Sequence, residues 1–221
     1  MKACQSCVTM DKNQKDTIEA YNNSAKEFMK KHGALTNYNN TYDYLLNILK
    51  ENDNILDLAC GPSNISRYIR YKINVNVTGL DLATEMLKIA KNNIPDGLYI
   101  EDSIITFKSN TFYDLIIIGF GLPYLNNAQA IQCIENSISL LKMNGYIYIS
   151  FMEGDKEGFE KTSFGGENNF YIFYHKRDEI KNILIRNGIE LKEEFVIDYK
   201  EKDGSITKDI IIIGTKPHAD P

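Results

Sequence analysis

The stretch that decides the fold is Asn54-Ile55-Leu56-Asp57-Leu58-Ala59-Cys60-Gly61-Pro62-Ser63-Asn64-Ile65-Ser66. Ile55, Leu56 and Leu58 form a short apolar run of the kind that a parallel strand buries on both faces, and Gly61-Pro62-Ser63 ends it abruptly. A helix over 65–71, capped by Ser63 or Asn64, would leave backbone N–H groups at its start, where a negatively charged ligand group is favoured. Asp57 falls near the strand's carboxyl end, where open α/β sheets bind their ligands.

Downstream, 75–80 alternates Val and Thr with polar residues and closes on Asp81, roughly 20 residues after Gly61, the spacing at which Rossmann-like folds place an acid for ribose hydroxyls. A helix opens at Ala83-Thr84-Glu85-Met86-Leu87 and stops before Pro95-Asp96-Gly97. A third strand over 98–101 is followed by Asp102-Ser103. The strongly apolar 113–119 is the fourth, leading into Gly119-Phe120-Gly121-Leu122-Pro123-Tyr124. A helix over about 128–141, stopped at Asn144-Gly145, precedes a fifth strand over 146–151. The polar, Gly-rich 152–169 reads as an insertion over the site, and 170–175 as an aromatic strand. A helix over 178–187 and a hairpin of 190–199 with 206–214 about Asp203-Gly204 complete the chain. Upstream, Ile18, Tyr21, Ala25, Phe28 and Met29 recur at helical spacing over 13–31, and a second helix covers 40–50.

The expected fold is therefore α/β: a Rossmann-like, seven-stranded, mostly parallel sheet with one antiparallel strand, helices on both faces and an N-terminal helical lid. It divides into a tail at 1–12, lid helices at 13–52 and an α/β domain at 53–216 carrying the insertion at 152–169. With 221 residues and 43% hydrophobic content, the chain fits one such domain. Its 30 acids against 25 bases, net −5 with no basic block, argue against nucleic acid as the main partner. No apolar run reaches membrane length and the N-terminus lacks a signal-like apolar middle, so the expectation is a cytoplasmic protein without a membrane partner, monomeric or homodimeric. Cys4 and Cys7 form a lone C-x-x-C without two further ligands at metal spacing, so no metal is expected and the pair reads as part of a reduced tail.

The run from Asp57 to Ser63 resembles the glycine-rich first motif of class I S-adenosylmethionine-dependent methyltransferases, with Gly61 in place and Ala59 and Ser63 standing where flanking glycines would. The resemblance covers roughly 54–216. It implies S-adenosylmethionine as cofactor and in-line methyl transfer, with catalysis mainly by positioning; the acceptor is read as a small molecule. Carried over by position, Ala59 and Gly61 would lie under the methionine part with Asp57 beside them. Asp81 would hold the ribose, Leu82 would pack on the adenine face, and Asp102 would accept from the adenine amino group with the Ser103 N–H facing the ring. Gly119 and Phe120 would offer carbonyls to the methionine ammonium. Tyr21, Tyr124 and His175 are candidates on the acceptor side, His175 as a general base near neutral pH or as a structural residue. Two other readings compete: a nicotinamide-dependent oxidoreductase, which would need a G-x-G-x-x-G that this chain lacks, and an S-adenosylmethionine-binding protein without turnover.

Overall fold

Alternate residues of the central strands face opposite layers of core, which is what turns the apolar runs into a sheet covered on both sides. In the computed structural model, which describes residues 10–200 and 204–218, Ile55 of β1 (Asn54–Leu58) faces one side and Leu56 and Leu58 the other. Leu115 and Ile117 of β4 (Tyr113–Gly119) likewise oppose Ile116 and Ile118. The remaining strands of the main sheet are β2 (Asn76–Asp81), β3 (Leu98–Glu101), β5 (Leu141–Met152), β8 (Glu190–Lys200) and β9 (Ile206–Thr215). Their order is β3-β2-β1-β4-β5-β9-β8. β9 runs antiparallel to both β5 and β8, and the other pairings are parallel. This is the expected seven-stranded sheet with one antiparallel strand.

Helices α2 (Asn39–Leu46) and α3 (Asn64–Arg70) cover one face through Tyr42, Leu45 and Ile69. On the other face, α5 (Asn127–Leu140) and α6 (Arg177–Arg186) bury Cys133, Ile134, Ile183 and Leu184. The long α1 (Lys12–His32) packs against α4 (Thr84–Asn93) and β7 (Asn169–Phe173). It starts on a capping box, Asp11 accepting from the Gln14 N–H and Gln14 accepting from that of Asp11. No described helix is long and apolar enough to cross a membrane.

Several local expectations change. The second helix stops at Leu46 instead of running on to residue 50. The helix expected to reach 141 ends at Leu140, because Leu141 pairs with Tyr113 across the sheet before the register shifts to Leu115 with Tyr146. Asn144, with a φ of 61°, sits inside that irregularity and caps no helix. The stretch read as an insertion contributes β6 (Glu157–Lys161), which pairs antiparallel with β7 as a separate two-stranded ribbon. Ser63 occupies the N-cap position of α3, yet its side chain makes no capping bond. The tip of the terminal hairpin at 201–203 and the Cys4/Cys7 pair lie outside the described residues.

Candidate active site

A cavity of about 830 Å3 opens at the carboxyl ends of β1, β2 and β4, within the size range of sites that enclose a small ligand. Its floor is the turn after β1. Ala59, Gly61 and Ser63 have positive φ angles of 53°, 51° and 58°, so left-handed residues recur at every second position. An L side chain there costs about 1–2 kcal/mol and glycine escapes the cost, which is the physical reason for glycine in such a turn. Gly61 escapes it, and a Cβ at that position would meet no atom within 4 Å. Ala59 and Ser63 carry the strain. Ser63 is fully buried and outside the cavity wall, so its side chain does not stand between the turn and a ligand.

Acids surround this turn. Asp81, at the end of β2, accepts the Gly61 N–H at 2.7 Å through Oδ2 and the Ala83 N–H at 2.8 Å through Oδ1. A carboxylate offers about four lone-pair sites, so two backbone bonds leave capacity toward the cavity. Burial raises the Asp81 pKa. Asp57 is 2% exposed and accepts the Ser66 hydroxyl at 2.6 Å. Burial pushes its carboxyl up to about 7, with the Ser66 bond opposing and Asp81 adding. At the end of β3, the Ser103 N–H donates to the Asp102 carboxylate at 2.7 Å, so the donor expected to face a ring is turned to its neighbour. Leu82, Asp102 and Ser103 all line the cavity.

After β4, Gly119 lets α3 approach, since a Cβ there would lie 2.6 Å from Ile65 Cδ1. Phe120 has a φ of 54°, and its N–H is held by Ser150, by the carbonyl at 3.2 Å and by Oγ at 3.0 Å. Both residues line the cavity.

The roof is α1, whose Gln14, Ile18, Tyr21, Phe28 and His32 line one face of the cavity at the spacing of a single helix side. Side-chain bonds tie it to its neighbours. Gln14 Nε2 donates to the Tyr124 carbonyl at 3.2 Å, Thr17 Oγ1 accepts the Tyr171 N–H at 3.0 Å, Asn22 Oδ1 accepts the Glu85 N–H at 3.0 Å, and Asn64 Nδ2 donates to the His32 carbonyl at 3.4 Å. The Tyr21 and Tyr124 hydroxyls are hydrogen-bonded to each other, with the rings edge to face at 5.4 Å. Burial raises Tyr21 well above its ordinary pKa and Tyr124 to about 12, so both stay protonated near neutral pH and neither is poised as a base.

Of the sequence candidates, His175 alone falls outside the wall. It is 2% exposed, its Nε2–H donates to the Leu122 carbonyl at 2.9 Å, and burial lowers its pKa. The general-base reading gives way to the structural one. The residues that sequence reasoning missed are Tyr38 and Asp209, both buried and both in the wall, with the Tyr38 hydroxyl donating to Asp209 Oδ2 at 2.6 Å. The available signal was an acid opening the apolar run Ile210–Ile213, at a position where a sheet core follows at once.

A doubly wound sheet with its cavity at the strands' carboxyl ends, a glycine turn after β1 and acids at the ends of β2 and β3 makes up a Rossmann-like fold with its ligand site at the usual place. Residues 55–145 match the family model described as a methyltransferase domain. It is 30% identical over 111 residues to a trans-aconitate 2-methyltransferase of Enterobacter sp. (strain 638), a match covering 49% of this chain and 43% of that protein. It is 27% identical over 152 residues to a ribosomal RNA large subunit methyltransferase E of Brachyspira hyodysenteriae, covering 62% of this chain and 78% of that one. The chain thus spans less than half the length of the trans-aconitate enzyme. In fold it is similar to the crystal structure of magnesium protoporphyrin IX methyltransferase from Synechocystis PCC 6803 with bound S-adenosylmethionine. The TM-score is 0.71 at 14% identity, over 95% of this chain and 99% of that one.

Proposed function

We propose that this chain is an S-adenosylmethionine-dependent methyltransferase acting on a small-molecule acceptor. The observation that carries the reading is the convergence of Asp57, Gly61, Asp81, Asp102 and Gly119, from the ends of four parallel strands, on one cavity roofed by α1. The residues fit the cofactor: the concave turn at Gly61 has open space above it, and Asp81 keeps acceptor capacity where ribose hydroxyls would lie. The cofactor supplies an activated methyl group on a sulfonium, so the protein's part is chiefly orientation and exclusion of water.

In this reading Ala59 and Gly61 support the methionine part, with Asp57 beside them. Leu82 packs against the adenine, Asp102 accepts from its amino group, and the Gly119 and Phe120 carbonyls face the methionine ammonium. The roof excludes water, and Tyr21 and Tyr124 border the mouth as neutral hydrogen-bonding groups. A cavity enclosed by α1 and the β6–β7 ribbon, in a chain of net charge −5, favours a small acceptor over a polyanionic one. Titration calorimetry with S-adenosylhomocysteine tests the reading. Micromolar binding, together with transfer of labelled methyl to a small acceptor, is the expected outcome; absence of binding would refute it.

A further inference from the structure

Three polar side chains meet where the end of α1 abuts α3, and no part of the reading above uses them. His32 closes α1, Asn64 opens α3 and Arg67 follows one turn later, and all three line the cavity. Two of them hold the end of α1 by its carbonyls: Asn64 Nδ2 donates to His32, and the Arg67 guanidinium donates to Gly33. Those bonds leave polar capacity unused at this seam. His32 Nε2 and Asn64 Oδ1 are buried without a partner among the described residues, and a buried polar atom left unpaired costs free energy that a ligand group can return.

Arg67 also brings a charge that nothing nearby neutralises. Among the described cations of the cavity wall, Lys156 pairs with Glu160 at 3.1 Å and Lys161 with Glu167 at 3.7 Å, whereas the half-buried Arg67 meets no carboxylate. A guanidinium stays charged throughout the working pH range and carries five N–H donors, one of which goes to the Gly33 carbonyl. His32 adds no competing charge. Its ring lies 4.7 Å from that of Phe28 and 5.3 Å from that of Phe164, and burial, with Lys31 second, lowers its pKa to about 4, so near neutral pH it is an uncharged imidazole with one N–H.

The seam lies on the β4 side of the cavity. Ile65, between Asn64 and Arg67, reaches over Gly119 at the end of β4, whereas Asp102 follows β3, two strands from β1 in the other direction. Leu35, Tyr38 and Tyr42 join Ile65 and Phe120 in one apolar cluster and line the cavity as well, which gives the body of an organic ligand a surface next to the cation. The guanidinium fork matches the two oxygens of a carboxylate. We propose that Arg67, together with His32, binds a carboxylate of the methyl acceptor, so that the acceptor is a small organic acid. This rests on the methyltransferase reading and names the acceptor class of that same cavity.

The test uses the full chain saturated with S-adenosylhomocysteine, and benzoate, benzamide and benzylamine as probes of matched size. Calorimetry or ligand-observed magnetic resonance should find benzoate bound about tenfold more tightly than benzamide, with benzylamine weakest. In Arg67→Gln that preference should vanish while affinity for S-adenosylhomocysteine stays as in the wild type. Arg67→Lys, which keeps the charge without the fork, should retain the preference in part. Equal or absent binding of benzoate and benzamide by the wild-type protein would overturn the proposal without requiring any variant. A preference that persists in Arg67→Gln would overturn the assignment to this side chain. A tenfold loss of S-adenosylhomocysteine affinity in Arg67→Gln, shown to be folded by circular dichroism, would give Arg67 to the cofactor's own carboxylate and overturn it as well. Failure of S-adenosylhomocysteine to bind the wild type at all would instead overturn the methyltransferase reading.

Discussion

Asp81 holds Gly61: its Oδ2 accepts the Gly61 N–H at 2.7 Å, so the carboxylate that ends β2 fixes the turn that ends β1. The strand ladder and the Cys60 N–H bond to the Leu80 carbonyl already hold the two strand ends together, and the side chain of Asp81 adds a tie to the turn itself. Asp81→Ala should weaken S-adenosylhomocysteine binding by more than about 1.5 kcal/mol, the usual worth of charge-assisted hydrogen bonds. Calorimetry on a variant shown to be folded by circular dichroism checks this, and unchanged affinity would move the ribose site elsewhere.

Asp57 makes stability depend on pH. Its folded pKa, pushed up to about 7 by burial, lies above that of an unfolded carboxyl near 3.8, so folding favours the protonated form. The favourable state is fully present below about pH 4 and is lost as pH rises toward 7. Urea unfolding of wild type and Asp57→Asn at pH 5 and pH 8 should show the wild type losing ground relative to the variant by on the order of 1–4 kcal/mol at the higher pH. A constant difference between the two proteins would contradict the shift.

The left-handed positions should respond in opposite directions. Ala59→Gly relieves a φ of 53° and should be neutral or stabilising by up to about 1 kcal/mol, the gain being partly offset by added freedom in the unfolded chain. Gly61→Ala should destabilise by about 1–2 kcal/mol and weaken ligand binding as well. Thermal unfolding with and without S-adenosylhomocysteine separates the two effects.

Tyr21 and Tyr124 should behave as a coupled pair. Tyr21→Phe removes the hydroxyl partner of the half-buried Tyr124 and should cost about 0.5–1.5 kcal/mol. The double variant with Tyr124→Phe should cost less than the sum of the singles, because it removes both polar groups together. A double-mutant cycle in urea measures the coupling, and strict additivity would mean that the two hydroxyls do not depend on each other.

Much of this was legible in the sequence because it is local. The strand at 54–58 with its turn, and the acids Asp81 and Asp102 directly after apolar runs, are written in consecutive residues. What was missed is long-range or ambiguous. Tyr38 and Asp209 meet only because β9 inserts beside β5. The ribbon strand β6 alternates exposed and half-buried residues, so it carries no apolar run to announce it. Leu140-Leu141 continues the apolar spacing of α5, and only the pairing of Leu141 with Tyr113 ends the helix there. His175 looked chemically able; what decided otherwise was a carbonyl 53 positions away.

Four of the side-chain bonds along α1 carry a kinetic meaning. Gln14, Thr17, Asn22 and the His32 carbonyl fasten this helix to the loop after β4, to β7, to α4 and to α3, and each is individually modest, on the order of 1 kcal/mol. If the helix has to lift before a molecule beneath it can leave, enough of them would have to break together. The pace of exchange would then be set by how often the helix lifts, so that residence time and turnover would follow the strength of these fastenings more closely than the contacts inside the cavity.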